Sequence, residues 1–306
     1  MPSATPPNED IEMNKMGLLA EEGRDSFDSS PPVLKEKAKP EKKGSWSRVI
    51  DGFCIVLNIA STVTLVFLNN WILKDKQLKS CQISFAMWHF TCTSIVLWIA
   101  SRSPFNLFVP IRLPFLQMIP LCAFFAGFLV LGNLSLAYNS IGFYQLAKIM
   151  TTPCVAVLQY FYLGKSISGL TAGALASLCI GVGLTNSGAV GLTTLGVSIA
   201  VAAFTITAFY QVWIGKKMKD FNVSSPQLLL NQAPISVLML AFLVPFFDII
   251  PDIEVIPNDT LTALFLSGLA AAALNLSQFL IIGRMSALTF NVASKKVFLP
   301  PNLLSH

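Results

Sequence analysis

One lysine lies inside an apolar run of this chain that is otherwise uncharged. Lys148 falls within the run Ile141 to Leu163, and it is the only Lys or Arg deep in any of the long hydrophobic segments. A cation near the centre of a bilayer costs about 2.5 to 3.5 kcal/mol on insertion scales, so it usually faces a polar cavity and a partner. The chemistry that Lys148 offers at this position is the binding of an anionic solute.

Polar side chains accompany Lys148 at helical spacing. At 100° per residue they form a stripe within about 120° of the helix circumference, and its members are Tyr144, Gln145, Lys148, Thr151, Thr152 and Gln159. The stripe favours a lysine that faces a solute, with Tyr144, Gln145 and Thr152 beside it. The alternative is a lysine that extends towards the lipid headgroups, since helical side chains tilt towards the N-terminus. Pro153 has no N–H to donate and predicts a kink next to this site.

The elements that must position these residues are membrane helices. The 306 residues are 54% hydrophobic and 12% charged, with a mean hydropathy of +0.64, so the solvent of most of the chain is a lipid bilayer. Residues 1–47 are rich in Pro, Ser, Glu and Lys and predict a disordered cytosolic tail. No apolar region follows Met1, which argues against a cleaved signal peptide.

Several functional classes are disfavoured by the composition. The six cysteines form no CxxC pair, so neither a metal site nor a disulfide framework is predicted, and no cofactor motif is present. The basic residues behind the net charge of +5 cluster in the tail and in short loops, which fits membrane topology and not nucleic-acid binding. An enzyme would need acid and base groups in or near the spans, yet Asp51 is the only acidic residue within one.

Runs of about twenty apolar residues predict eight spans, near 49–73, 81–101, 114–137, 141–163, 168–187, 191–215, 226–247 and 260–283. More Lys and Arg residues fall in the loops on the side of the N-terminus than on the other side, so a cytosolic N-terminus is predicted. The loop before the eighth span then faces a lumen. Asn258 begins an Asn-Asp-Thr sequon there and is a candidate glycosylation site.

Weak internal matches indicate a repeat. A displacement of 142 carries Phe67, Trp71 and Ile72 onto Phe209, Trp213 and Ile214, and Asn133-Leu134-Ser135 onto Asn275-Leu276-Ser277. A slightly larger shift carries Tyr144–Ala147 onto Phe290–Ala293. Because the matches occur in the same order, they predict two five-helix units. An odd helix number inverts the second unit relative to the first, as in secondary transporters.

The repeat also predicts two further helices, the first of them beginning near Asn291. The expected fold is therefore an all-α polytopic membrane protein with an inverted five-plus-five repeat, here represented by about eight of ten helices. The transporter domain is predicted over residues 48–294. The last residues, 295–306, are too few to span a bilayer and resemble an altered splice.

Four segments resemble one known family. They are Gly142–Pro153, Val66–Ile72, Tyr210–Lys217 and Gln227–Ser236, which occur in order at the expected helices. The chain resembles the triose-phosphate and nucleotide-sugar transporter family of the drug/metabolite transporter superfamily, and within it the E-type branch of solute carrier family thirty-five. The resemblance covers roughly residues 46–294.

This resemblance implies a multi-pass Golgi or endoplasmic-reticulum antiporter with cytosolic termini. It would exchange a cytosolic nucleotide sugar for a lumenal nucleoside monophosphate, with Lys148 at the phosphate end of the pocket. Asn231 and Gln232 match the position where relatives read the nucleobase, although the Phe-Tyr-Asn-Asn string of guanosine-sugar carriers is missing here. A sugar-phosphate/phosphate exchanger and a truncated, non-transporting membrane protein are the alternatives.

Some roles stay open at this point. Asn231 and Gln232 present donors and acceptors suited to a base edge, but amides also join helices to one another. His89, in the middle of the second span, either forms an interhelical hydrogen bond or takes part in gating. Gly169 and Gly173 form a GxxxG pair that favours close packing over dimerisation in a ten-helix bundle, and a homodimer stays open.

Overall fold

The computed structural model of the protein describes residues 45–72, 78–186, 193–249 and 257–295. Its helices are α1 Ser45–Ile72, α2 Gln82–Ala100, α3 Phe115–Tyr138, α4 Ile141–Ile149, α5 Thr151–Leu163, α6 Gly169–Asn186, α7 Thr194–Asp220, α8 Ser225–Phe247, α9 Asn258–Arg284 and α10 Ala287–Lys295, with a 3₁₀ turn at Leu78–Ser80. The predicted tail as far as residue 44 and the predicted C-terminal segment after residue 295 lie outside the described residues.

Within the described ranges, seven helices are long and apolar enough to cross a membrane. They are Trp46–Ile72, Gln82–Ala100, Phe115–Tyr138, Gly142–Leu163, Thr194–Asp220, Ser225–Phe247 and Asn258–Arg284. The predicted fifth span is α6, whose apolar stretch Gly169–Val182 is shorter. The prediction of an all-α polytopic membrane protein is confirmed.

The sixth predicted span has different limits in the structure. Helix α7 begins at Thr194, where the Thr193 side chain accepts a hydrogen bond from the Gly196 N–H, and it continues to Asp220 instead of ending near residue 215. The hydropathy pattern stops at the basic residues, whereas the helix does not. Lys217 and Lys219 in the last turn face the negative end of the helix dipole, which favours their helical conformation.

The packing of the helices follows the predicted repeat. The first unit contains α1, α2, α3, the α4–α5 pair and α6, and the second contains α7 to α10. In the predicted repeat, α7, α8 and α9 are equivalent to α1, α2 and α3. Helix α1 packs on α9, and correspondingly α7 packs on α3. Helices α2 and α8, which are equivalent, pack on each other, and the contact of α9 with α2 corresponds to that of α3 with α8. This exchange of partners is what a twofold relation between the two units produces, and it agrees with the predicted inverted repeat.

Two helix starts repeat in the same way. The Ser140 hydroxyl accepts the N–H of Phe143 at 3.3 Å at the start of α4, and the Ser286 hydroxyl accepts the N–H of Thr289 at 3.0 Å at the start of α10. The two serines are 146 residues apart (286 − 140), which is the shift of the Tyr144–Ala147 match. Helix α10 begins at Ala287, earlier than the predicted start near Asn291, because Ser286 caps it.

Equivalent helix ends are also tied together. The Arg284 Nε at the end of α9 donates to Asp51 Oδ1 near the start of α1 at 2.8 Å. At the end of α3, Asn139 Nδ2 donates to the carbonyl of Gly196 near the start of α7 at 2.9 Å. Each tie joins the first helix of one unit to the third helix of the other. In an inverted repeat the two ties lie at opposite faces of the bundle.

A polar seam joins α2 to α9. Trp88 Nε1 donates to the Leu264 carbonyl at 2.9 Å, and Asn275 Nδ2 donates to Thr93 Oγ1 at 3.0 Å. His89 Nε2 lies 3.2 Å from the hydroxyl of Ser267, so the structure shows the interhelical hydrogen bond that was one alternative for His89. These bonds satisfy polar groups that lipid could not.

The helices of this seam approach closely at Gly268. A Cβ at Gly268 would overlap Cys92 Sγ and lie 3.0 Å from Trp88 Nε1. Packing of membrane helices depends on such small residues, because close contact replaces the hydrophobic driving force that lipid removes. Gly268 therefore sets the distance between α2 and α9.

The helix of the fourth span is interrupted at one residue, Met150, next to the predicted site, although Met150 itself keeps helical backbone angles. Helix α4 ends at Ile149 and α5 begins at Thr151, with Met150 between them. Pro153 cannot donate a hydrogen bond to the preceding turn, which agrees with the predicted kink. The break leaves Lys148 in the last turn of a short helix, where its charge faces the negative end of the helix dipole.

Candidate functional site

Lys148 projects from the bundle next to the break. Its side chain is exposed, and its Nζ lies 5.0 Å from the centre of the Tyr144 ring one turn earlier. No carboxylate of the described residues forms an ion pair with it. An aromatic face attracts a cation without neutralising it. The Lys148 ammonium thus keeps its capacity to bind an anion.

The break divides the predicted polar stripe into two environments. Before it, Gln145 is exposed and Tyr144 is half-buried. After it, Thr152 and Gln159 are 3% and 4% exposed, because α5 packs against α7. The structure therefore brings Lys148 and Tyr144 together and places Thr152 inside the bundle.

Asn231 holds the connection between α2 and α3. Its Nδ2 donates to the carbonyls of Ile111 at 2.7 Å and Gln227 at 2.8 Å, and its Oδ1 accepts the N–H of Leu113 at 3.0 Å. One turn earlier, Gln227 Nε2 donates to the Val109 carbonyl at 2.7 Å. Main-chain groups thus occupy both donors of the Asn231 amide, which supports the packing alternative for this residue.

Gln232 lies in the core and has no exposed surface. Its Nε2 donates to the hydroxyl of Tyr210 at 2.9 Å, and its Oε1 is buried with no hydrogen-bond partner in the described part of the chain. Tyr210 is itself buried, with its ring 5.3 Å from that of Phe128 and 5.6 Å from that of Phe125. Neither Gln232 nor Lys148 lines the cavity described below, and their shared role in one site stays a prediction.

Asn258 is exposed at the first position of α9, and its carbonyl accepts a hydrogen bond from Thr262 Oγ1 at 3.0 Å. The sequon residue Thr260 is buried. Glycosylation of Asn258 stays a prediction.

Among the described residues, no group of three or more His, Cys, Asp or Glu side chains could hold a metal ion.

A cavity of about 420 Å³ opens where the ends of α5, α7 and α9 meet the starts of α8 and α10. Cavities of this size accommodate small-molecule ligands. The polar and charged side chains that line it include Gln159, Lys165, Gln211, Lys219, Ser225 and Arg284. None of the predicted substrate-binding residues belongs to its lining.

The cations of this cavity differ in their surroundings. Arg284 forms the ion pair with Asp51 and lies 3.3 Å from the Ser47 hydroxyl. Burial, and then the nearby charge of Lys219, lowers the pKa of Lys165 below its ordinary value. Sequence reasoning assigned these cations to membrane topology alone. In the sequence, these cations follow shortly after the ends of predicted spans, and this position was the signal that they could meet at one end of the bundle.

Two buried amides, Gln159 and Gln211, line the cavity. Gln159 is 4% exposed, and its side-chain amide makes no hydrogen bond within the described ranges. Gln211 accepts a hydrogen bond from Asn291 Nδ2, which fixes α10 against α7. The cavity thus combines basic side chains at its mouth with buried amides in its wall.

The structural role of Asn231 predicts a local effect of substitution. In Asn231→Leu we expect trypsin to cleave after Arg112 several-fold faster, because three hydrogen bonds around the connection are lost, at a cost of about 1 to 2 kcal/mol. Cleavage after Lys165, which is remote from the connection along the chain, serves as the internal control. Unchanged proteolysis together with altered nucleotide preference would instead assign Asn231 to base recognition.

Curated plant proteins are similar to this chain over most of its length. The UDP-rhamnose/UDP-galactose transporter 2 of Arabidopsis thaliana is 28% identical over 263 residues, which are 84% of this chain and 74% of that protein. The UDP-xylose transporter 1 of the same plant is 29% identical, over 78% of this chain and 70% of its own length. Its GDP-mannose transporter GONST5 is 28% identical, over 76% and 70%. No family model matches the chain.

A solved structure shares the fold. One crystal structure with 15% sequence identity superposes with a TM-score of 0.59 and covers 80% of this chain and 87% of that one. At this identity the likeness concerns the fold alone.

Proposed function

Because the chain resembles the nucleotide-sugar transporters over most of its length, we propose that it exchanges a cytosolic nucleotide sugar for a lumenal nucleoside monophosphate. The resemblance predicted from four segments is confirmed, and the relatives are transporters and not enzymes. The antiport mechanism, the exchanged monophosphate and the sites below are parts of the proposal.

The observation that carries the proposal is the position of Lys148 and its lack of a described carboxylate partner. It is a cation within a span, next to a helix break, and no described carboxylate neutralises it. A nucleotide sugar brings two phosphate charges, and charge-assisted hydrogen bonds to phosphate are among the strongest polar contacts in proteins. In the proposal Lys148 binds the diphosphate, while Tyr144 and Gln145 contribute an aromatic face and an amide.

The fold supplies a means of alternating access. Inverted units that exchange packing partners rock against each other around a site near the middle of the membrane. We place the N-terminus in the cytosol and the protein in the Golgi or endoplasmic-reticulum membrane, in agreement with the basic residues around the cavity end of the bundle.

The test is exchange in proteoliposomes. Vesicles that contain the full chain are preloaded with UMP, GMP or CMP and offered labelled nucleotide sugars, with vesicles that lack a preload as the control. Uptake that requires one of the monophosphates supports the proposal. Uptake of triose phosphate against inorganic phosphate would identify the sugar-phosphate exchanger instead, and folded protein without either exchange would refute the substrate class.

A further inference from the structure

The cavity at the end of α5, α7 and α9 has an unbalanced charge. Three basic residues line it, Lys165, Lys219 and Arg284, and no acidic residue is part of its described lining. Arg284 is held by Asp51 at 2.8 Å. Lys165 and Lys219 form no ion pair with any described carboxylate. The charge of these two lysines is therefore available to a ligand.

Lys165 and Lys219 line the same cavity from the ends of α5 and α7. Lys165 follows Gly164, which ends α5 in a left-handed conformation, and its N–H donates to the Gln159 carbonyl at 3.3 Å, so its backbone is fixed. Lys219 lies in the last turn of α7. The charge of Lys219 disfavours the charged form of Lys165, in addition to burial. An anion between the two ammonium groups would relieve this repulsion.

A polar group in the wall of the cavity adds an independent observation. Gln159 is 4% exposed and lines the cavity, and its amide makes no hydrogen bond to the described residues. Its amide atoms are accessible from the cavity, so a solute there can reach them. Its NH₂ group can donate to an anion that also contacts the lysines above it.

We propose that this cavity is a second phosphate-binding site, in which the phosphate groups of a soluble diphosphate ester lie between Lys165 and Lys219, with the Gln159 amide below them. It is separate from Lys148, which does not line the cavity. The proposal rests on the proposed function for its occupant, since a nucleotide sugar carries such a diphosphate. The cavity then receives the solute at one mouth of the bundle, before the solute reaches Lys148.

The first experiment measures binding of inorganic pyrophosphate by calorimetry to the purified full chain in a neutral maltoside detergent, with Lys148→Ala as the background so that only the cavity is titrated. We expect Lys165→Gln and Lys219→Gln each to weaken binding by about tenfold, because each removes one charge-assisted contact. Lys217→Gln is the matched control: Lys217 lies on the same helix end, with its Nζ 5.0 Å from the Phe221 ring, and it does not line the cavity. Thermal unfolding of each variant shows that it is folded.

The outcomes separate this site from the transport function. Weaker binding in Lys165→Gln and Lys219→Gln, with unchanged binding in Lys217→Gln, all in the Lys148→Ala background, supports the site even if no exchange is found in proteoliposomes. Absence of pyrophosphate binding in Lys148→Ala, or an equal loss in Lys217→Gln, would overturn it.

Phosphate chemistry is shared by soluble esters and lipid headgroups, so a second experiment compares two nanodisc compositions. In discs of phosphatidylcholine alone and in discs that also contain phosphatidic acid, we expect equal pyrophosphate affinity. If phosphatidic acid weakens pyrophosphate binding to the Lys148→Ala protein, a lipid headgroup occupies the cavity and the proposal of a soluble ligand is refuted.

Discussion

Lys148→Ala is expected to lower the kcat/KM of exchange by about ten- to a hundredfold while the protein stays folded. The reason is that removal of the cation leaves the diphosphate without a charge-assisted hydrogen bond, which is worth about 1.5 to 3 kcal/mol. The side chain is exposed and its recorded contact is with the Tyr144 ring, so its loss removes little packing. The measurement is initial exchange in proteoliposomes at several substrate concentrations.

Two variants serve as controls for this result. Lys148→Arg keeps the charge and should retain measurable exchange, although a guanidinium does not reproduce the geometry of an ammonium. Tyr144→Phe keeps the ring under the cation and should have a small effect. Normal exchange in Lys148→Ala would assign the lysine to the headgroup region, the alternative that the sequence left open.

Gly268→Val is expected to produce the largest loss of stability. The added side chain would overlap Cys92 Sγ and press on Trp88 Nε1. Overpacking typically costs about 1 to 3 kcal/mol, and displacement of Trp88 from the Leu264 carbonyl would add about 1 kcal/mol. A lower midpoint of unfolding in mixed detergent micelles, by the equivalent of about 2 to 4 kcal/mol, measures the effect.

A matched glycine distinguishes this explanation from a general cost of valine in a helix. Gly132 lies in α3 with no atom within 4 Å of an added Cβ, so Gly132→Val should change the midpoint much less. Gly268→Ala combined with Cys92→Ala should recover part of the loss, since the overlapping sulfur is gone. Equal effects of valine at both glycines would show that α2 and α9 do not approach closely at Gly268.

Helix positions could be predicted because the bilayer imposes a length and an apolar composition on each span. The repeat could be predicted because equivalent positions keep similar residues, and Ser135 and Ser277 are indeed both buried. The end of α7 could not, because Lys216 and Lys217 interrupt the hydropathy signal but not the helix. Pro153 predicted a kink beside Lys148, because the missing N–H is a local property, and the helix is interrupted nearby at Met150.

The candidate site was less accessible to sequence reasoning. Lys148 stood out because its charge contradicts its surroundings. The partners of Asn231 could not be predicted, since they belong to an irregular connection more than a hundred residues earlier in the chain. Lys165 and Lys219 were passed over because membrane topology already accounted for loop cations, and only the tertiary structure brings them to one cavity.

The pairing of α1 with α9 has a consequence for biogenesis. Asn58 donates to Ser277 across 219 residues of sequence, and Arg284 reaches Asp51 across 233. At a synthesis rate of about 5 to 20 residues per second, α1 enters the membrane roughly 10 to 50 s before its main packing partner is made. The nascent helix must persist through this interval with a carboxylate and an amide on the face that later meets α9. Insertion factors that shelter such a face during translation should therefore raise the yield of this protein more than factors that act after release from the ribosome.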